Sequence, residues 1–257
     1  MRKIEKTNAV DKALNILLQF TPYNQEMGTI EISKNLGINK ATTSRILLQL
    51  TKRGFLQQNQ NSRKFKLGPA AIDIGDSVIK SIDTGFVRIA QPFIDELGKE
   101  LNETVSLVKL AANSALTIYV YQPHRLACIS GNRGDRHPIN GSAGAKAILA
   151  YLESDASERI IKAIDAIPPL TEKATTDPDL LMRQIKEVRR KGYSFCVEEI
   201  DIGVNYLAVP ILDRMNSPIA SLVVAGPSKR LSQKSVDKPL SKMKATANKI
   251  SAELYQQ

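Results

Sequence analysis

With 257 residues, 42% hydrophobic and 24% charged, the chain is long enough for two modest domains and has the balance of an ordered globular protein rather than a disordered one. No stretch approaches the roughly 20 apolar residues of a membrane span, and two cysteines, Cys128 and Cys196, exclude a disulfide scaffold and a cysteine-only zinc site. The net charge of +10 is unevenly placed: residues 1–68 hold 12 basic and 4 acidic side chains, a net of +8, and residues 69–257 carry +2. That asymmetry suggests a polyanion-binding module joined to a near-neutral domain, although a solvated basic surface would give the same sum. The start, MRKIEKT, is basic without the apolar stretch of an export signal, so the protein is expected in the cytoplasm with both thiols reduced.

Residues 8–20 place Val10, Leu14, Leu17 and Leu18 at helical spacing behind Asn8 as N-cap, and Thr21-Pro22 ends that helix. A short helix fits Thr29–Leu36, with Gly37 where a left-handed residue is wanted. A third fits Lys40–Lys52, capped by Asn39 and stopped by Gly54. Residues 55–58 and 64–67 read as two short strands about the polar turn 59–63. Residues 69–83 read as a linker helix with Pro69 in its first turn, and 86–101 as an amphipathic helix. Strands are expected at 104–110, 115–122 and 126–130, then a helix at 142–151, one starting at Ser157 and one at 179–191. Further strands fit 193–197, 206–212 and 219–226, with a tight turn at 213–218, and a helix at 232–254 closes the chain. Strands flanked by helices without strict βαβ alternation predict an α+β domain on an antiparallel sheet.

The stretch TIEISKNLGINKATTSRILLQLTKRGFL, residues 29–56, carries the functional signal. Two short helices meeting at Gly37 have the layout of a helix-turn-helix. At about 100° per residue, Thr43, Ile46, Leu47 and Leu50 fall on the side of the second helix that must pack inward. The other side presents Ala41, Thr42, Ser44, Arg45 and Gln49, with Lys40 at the helix start near a phosphate position. Small hydroxyls admit close approach to a major groove, and Arg and Gln have the reach to read base edges, Arg favouring guanine and Gln adenine. Lys52, Arg53, Arg63, Lys64 and Lys66 flank the helix and wing and are expected to neutralise phosphates, which gives affinity and salt dependence without sequence reading. A protein-contacting helical subdomain has the same shape, but the local charge, the polar face and the basic wing favour DNA.

The segments ISKNLGINKATTSRILLQL, RGFL and FKLG, then RGDRHPINGSAGAKAILAYL at 133–152, then KGYSFCVEEIDIGVNYLAVPILD and PIASLVVAGPSKRLS, resemble in order the IclR family of bacterial transcription regulators. The resemblance implies a winged helix-turn-helix DNA-binding domain over 1–70, a linker helix over 71–84, and a GAF-like antiparallel-sheet domain over 85–257 that binds a small organic effector and self-associates. Dimers or tetramers would bind pseudo-palindromic double-stranded operators. Where the family's effector pocket offers an Asp, a Cys and two Ser, this chain has Cys196, Tyr206, Val223 and Ala225; its backbone turn falls on Ala143 and Gly144, and its Gly-Lys pair reads Ala145-Lys146. Burying a short carboxylate against Val223 and Ala225 would be costly. Two readings stay open: an effector more apolar or larger than a two- or three-carbon acid, such as an aromatic one, or a pocket filled by Tyr206 and its neighbours.

Other chemistry finds little support. His124, His137, Cys128 and Cys196 lack metal-ligand spacing, and no cofactor is expected. A Cys196 redox role stands against the commoner state of a strand cysteine, a small buried hydrophobe. Glu198 and Glu199 are adjacent on an extended chain and would face opposite ways, which leaves them exposed or positioning the segment that ends in Tyr206. No nucleophile elbow, P-loop or dinucleotide fingerprint occurs. The sequence therefore predicts a sequence-specific DNA-binding regulator and not an enzyme. The rivals are a nonspecific architectural DNA binder, which the face bearing Arg45 and Gln49 disfavours, and an enzyme or metabolite-binding protein whose N-terminal domain is only an interaction module, which would need a convergent catalytic set in residues 80–257.

Overall fold

Asn8 starts the first helix, α1 (Ala9–Leu18), by accepting the Asp11 amide at 2.9 Å while the Asp11 carboxylate accepts the Asn8 amide at 3.2 Å, a reciprocal capping box. The computed structural model describes residues 8–21, 25–111, 114–125, 128–164 and 167–255, which group into two compact units, 1–81 and 82–257. Pro22, expected to end α1, lies outside the described residues. Helix α2 (Thr29–Leu36) stops at Gly37, whose φ of 62° lets the Ile38 amide reach back to the Ser33 carbonyl at 3.1 Å. Asn39 then caps α3 (Lys40–Lys52), its Oδ1 accepting the Ala41 amide at 2.9 Å. Strands β1 (Leu56–Gln58) and β2 (Phe65–Leu67) pair antiparallel, Leu56 opposite Leu67, and Met27 bridges to Phe65. Helix α4 (Pro69–Ile82) follows.

Ile16, Phe20, Ile32, Leu47, Leu56 and Phe65 form the core of the first unit, with Leu17, Ile46 and Leu50 packed against it. Helical spacing alone does not say which side of α1 faces inward. Ile16 and Phe20 are buried, whereas Val10, Leu14 and Leu18 are 66%, 54% and 62% exposed. Alpha-helical geometry separates the i, i+4, i+8 row of Val10, Leu14 and Leu18 from the row of Ile16 and Phe20, so α1 is apolar on two sides and only one packs within its own unit.

The wing is clamped at its base by two glycines. The Gly68 amide donates to the Phe55 carbonyl at 2.8 Å and the Ala70 amide to the Gly54 carbonyl at 3.1 Å. A Cβ on Gly68 would stand 2.3 Å from the Gly54 carbonyl oxygen, a contact with rigid backbone. Gly68→Ala should therefore destabilise the first unit by about 1–3 kcal/mol, the cost of overpacking. Gly75→Ala, where a Cβ meets nothing within 4 Å, should stabilise α4 by roughly 0.5–1 kcal/mol. Denaturant midpoints of both variants check the pair.

In the second unit a π-helical turn (Asp83–Val87) leads into α5 (Arg88–Leu101). Strands β3 (Thr104–Ala111), β4 (Ser114–Tyr121), β5 (Arg136–Pro138), β6 (Ser194–Val197), β7 (Val204–Leu212) and β8 (Pro218–Pro227) form an antiparallel sheet in the order β5-β4-β3-β8-β7-β6. Helices α6 (Ala143–Leu149), α7 (Ser154–Lys162), α8 (Pro178–Lys191) and α9 (Asp237–Glu253) complete it. Strand alternation splits the apolar side chains into two cores. Val105, Leu107, Leu207, Val209, Leu222 and Val224 meet α5 and α9. Val108, Cys196, Ala208 and Val223 meet α6 and α8 on the opposite face.

Three differences from the sequence reading have a visible cause. The strand expected at 126–130 is not one at 128–130, and residues 126 and 127 lie outside the described residues. There the Ile129 carbonyl is satisfied by the Thr104 hydroxyl at 2.5 Å and the Gly131 carbonyl by the Gln122 side-chain amide, so the edge of β4 is left to β5. Ser157, expected to start a helix, lies inside α7, its buried hydroxyl donating to the Leu149 carbonyl at 2.7 Å. The last helix starts at Asp237 because residues 232–235 fold into a turn in which the Ser235 hydroxyl accepts the Ser232 amide at 2.9 Å.

Candidate nucleic-acid interface and ligand site

Packing of Thr43 and Leu47 inward sets which residues of α3 face out. Ala41, Arg45 and Lys52 are exposed along one ridge, with Lys40, Gln49 and Arg53 exposed beside it, and Thr42 and Ser44 half-buried on its flanks. The ridge also carries Leu48, 57% exposed, to which the sequence reading gave no role.

Arg63, Lys64 and Lys66 are exposed on the wing. Its turn is built by Asn59, whose Oδ1 accepts the amides of Asn61 at 2.9 Å and Ser62 at 3.2 Å, while Arg63 takes a left-handed φ of 56°. The Glu26 carboxylate accepts from Asn59 Nδ2 at 3.0 Å and from the Ser62 hydroxyl at 3.1 Å. These hydrogen bonds, helped by the charges of Lys66 and Lys64, hold the Glu26 carboxyl below its usual range. Glu26 was missed by sequence reasoning: it sits 33 residues from Asn59 and no motif links them.

In the second unit, register places Cys196 opposite Tyr206, Tyr206 opposite Ala225 and Ala225 opposite Thr104, one row across four strands on a single face. Val223 belongs to the adjacent row, opposite Ala208 and Ser106. Ala143 and Gly144 begin α6, which lies on this face. A Cβ on Gly144 would come 2.9 Å from Ser221 Oγ and 3.0 Å from Val223 Cγ2, so only glycine lets α6 approach this closely. Ala143, Cys196 and Val223 belong to one apolar cluster, and Tyr206 packs against it. The Tyr206 hydroxyl is 2.9 Å from Asp201 Oδ2, and burial followed by the Asp201 charge raises its pKa.

Beside this face lies an ion pair that the sequence reading did not anticipate. Lys146 Nζ is 2.5 Å from Glu199 Oε2, with side chains only 3% and 11% exposed. Glu198 turns the other way to Lys173 at 2.6 Å, its own φ of 54° breaking the strand. The expectation that the two glutamates face apart holds, but Glu199 is buried and paired rather than exposed. A cavity of about 170 Å³ adjoins the pair and is lined by Lys146, Ser194 and Glu199. A separate one of about 280 Å³ is lined by His137, Asn140, Ile164 and Ile167, and neither cavity is lined by any of the six predicted ligand residues. Burial also lowers the His137 pKa, against the charges of Asp135 and Asp201.

Cys196 is fully buried, and burial pushes its thiol up to about 12, so it is a poor nucleophile. Cys128 is half-buried. A disulfide-exchange reagent should modify one thiol of the native protein quickly and the second only on unfolding. Rapid modification of both would show that the face bearing Cys196 opens. Among the described residues no group of three His, Cys, Asp or Glu could hold a metal, and no helix is long and apolar enough to cross a membrane.

Comparison with known proteins matches both units to one family. Residues 9–60 match the IclR helix-turn-helix domain and residues 78–252 match the C-terminal domain of bacterial transcriptional regulator IclR. The transcriptional regulator KdgR of Escherichia coli is 26% identical over 252 residues, 97% of this chain and 95% of KdgR. An IclR-family regulator from Brucella abortus superimposes with a TM-score of 0.79 at 23% identity, covering 96% of this chain and 93% of that one. An IclR homologue from Microbacterium hydrocarbonoxydans, solved with 4-hydroxybenzoate, superimposes with a TM-score of 0.74 at 19% identity over 97% of this chain and all of that one.

Proposed function

Because this chain belongs to the IclR family of bacterial transcriptional regulators, we propose that the exposed ridge of α3 reads an operator in the major groove while a small organic ligand in the second unit sets the affinity. The protein is a helix-turn-helix DNA-binding regulator with a C-terminal effector domain, and not an enzyme. The observation that carries the residue assignment is the outward row of Ala41, Arg45 and Lys52 in a unit holding most of the net charge. Arg45 and Gln49 read bases, approached closely by Ala41, Thr42 and Ser44. Lys40, Lys52, Arg53, Arg63, Lys64 and Lys66 hold phosphates. In this reading residues 1–70 are the DNA-binding domain, 71–84 the linker and 85–257 the effector and oligomerisation domain, and the protein works in the cytoplasm, where the operator is.

A pseudo-palindromic operator requires two copies of α3, and the second apolar side of α1 supports pairing between copies: Val10, Leu14 and Leu18 are exposed and, among the described residues, lie outside the core cluster of their unit. The effector is an aromatic or similarly apolar acid, held by Ala143, Gly144, Cys196, Tyr206, Val223 and Ala225. Val223 and Ala225 supply an apolar wall, and the Microbacterium hydrocarbonoxydans homologue was solved with 4-hydroxybenzoate. A ligand moves the equilibrium between DNA-binding and non-binding states only by its differential affinity for them.

Selection of bound sequences from a random DNA pool near physiological salt tests the function. Recovery of a pseudo-palindrome supports it, and salt-sensitive binding without a motif, in the presence and absence of aromatic acids, overturns it. Calorimetric titration with 4-hydroxybenzoate and with glyoxylate tests the ligand class, and tight glyoxylate binding would reverse it.

A further inference from the structure

Resting on the operator-reading function, we propose that Leu48 is a specificity residue that reads the C5-methyl group of a thymine beside the base contacted by Arg45. With Thr43 and Leu47 turned to the core, Ala41, Arg45, Leu48 and Lys52 follow one another at helical intervals of four, three and four along the outward ridge. Leu48 is 57% exposed and stands outside the core cluster that takes in its neighbours Leu47 and Leu50. A lone exposed leucine is ordinary on a protein surface. This one occupies the middle of a base-reading ridge, between two cations.

The chemistry limits what it can touch there. A leucine side chain makes no hydrogen bond, and against a phosphate it would only displace water from a charge. The one apolar feature on the floor of the major groove is the thymine methyl. A protein partner covering Leu48 would have to bury Arg45 and Lys52 as well. Leu48 lies three residues beyond Arg45, about 4.5 Å along the helix axis. That is close to the roughly 3.4 Å between successive base pairs. The thymine belongs to the base pair next to the one that Arg45 reads, so Arg45 and Leu48 together specify a dinucleotide step.

The test starts from the operator recovered with the wild-type protein. Duplexes are made in which each thymine of one half-site is replaced in turn by deoxyuridine, which removes the methyl and leaves the pairing intact. Wild-type protein should lose about fourfold in affinity at one such position, the weight of one buried methyl group. Leu48→Ala, which keeps a strong helix former at an exposed site, should bind the thymine and deoxyuridine duplexes equally. Leu48→Met should keep part of the discrimination. Equal sensitivity of wild type and Leu48→Ala to every replacement, or a loss in Leu48→Ala that is the same on operator and unrelated DNA, would overturn the assignment and leave the operator-reading function standing. A selection that recovers no motif would remove both.

Discussion

Arg45→Ala should lower affinity about 5- to 150-fold for each operator half-site, the range of a lost bidentate contact to a guanine. Binding to unrelated DNA should fall far less, because the variant loses one cation among many in each copy, with a reduction in the salt slope of about 0.9 for each copy bound. The expectation rests on position: Arg45 is exposed on the outward ridge of α3, while the residues that hold α3 in place, Thr43 and Leu47, are buried beneath it. Truncating Arg45 therefore leaves the fold untouched. Arg45→Lys separates charge from geometry. It should restore binding to unrelated DNA and leave specificity low, since an ammonium lacks the planar fork of a guanidinium. Titrations of an operator duplex and a scrambled duplex at several salt concentrations decide the matter. Equal losses on both duplexes would make Arg45 a phosphate contact.

A second large effect is expected inside the effector domain. Lys146→Met should destabilise residues 82–257 by about 3–5 kcal/mol, because it strands the Glu199 carboxylate in a site only 11% exposed. For a unit of that size the melting midpoint should drop by roughly 6–20 °C. The double variant Lys146→Met/Glu199→Gln should recover most of the loss, since a buried pair stabilises little against a neutral replacement but is costly to break from one side. A single-variant loss below about 1 kcal/mol would mean that water reaches the pair. The pair also ties α6, which bears Ala143 and Gly144, to the loop that follows Cys196. Loss of ligand binding in Lys146→Met together with recovery in the double variant would show that α6 must be held for the site to form.

Features written in adjacent residues were legible in the sequence. Asn8, Asn39, Gly37 and Gly54 mark helix ends because caps act over one turn, and the inward set of α3 followed from its spacing. Features that depend on chain partners far apart were not. Glu26 reaches the wing across 33 residues, and Lys146 meets Glu199 across 53. Gly68 is explained by the backbone of Gly54, which no local pattern announces. On α1 periodicity indicated a helix but not its inward side: both rows are apolar, and tertiary packing chooses Ile16 and Phe20 over Val10, Leu14 and Leu18. Strand β5 has no mark in the sequence because its three residues, Arg136, His137 and Pro138, carry no alternating apolar signal.

The glycine clamp at the foot of the wing separates two things that a loop usually couples, its span and its anchorage. Backbone contacts between residues 54–55 and 68–70 close the hairpin before its tip begins, and the tip, residues 60–63, adds no side chain to the core of its unit. Residues inserted or deleted there would lose the Ser62–Glu26 hydrogen bond and change how far basic side chains extend, while the backbone contacts at the foot that seat the hairpin remain. Wing length is thus an adjustable spacer, and transplanting tips between related proteins is a way to vary DNA footprint while the recognition helix stays constant.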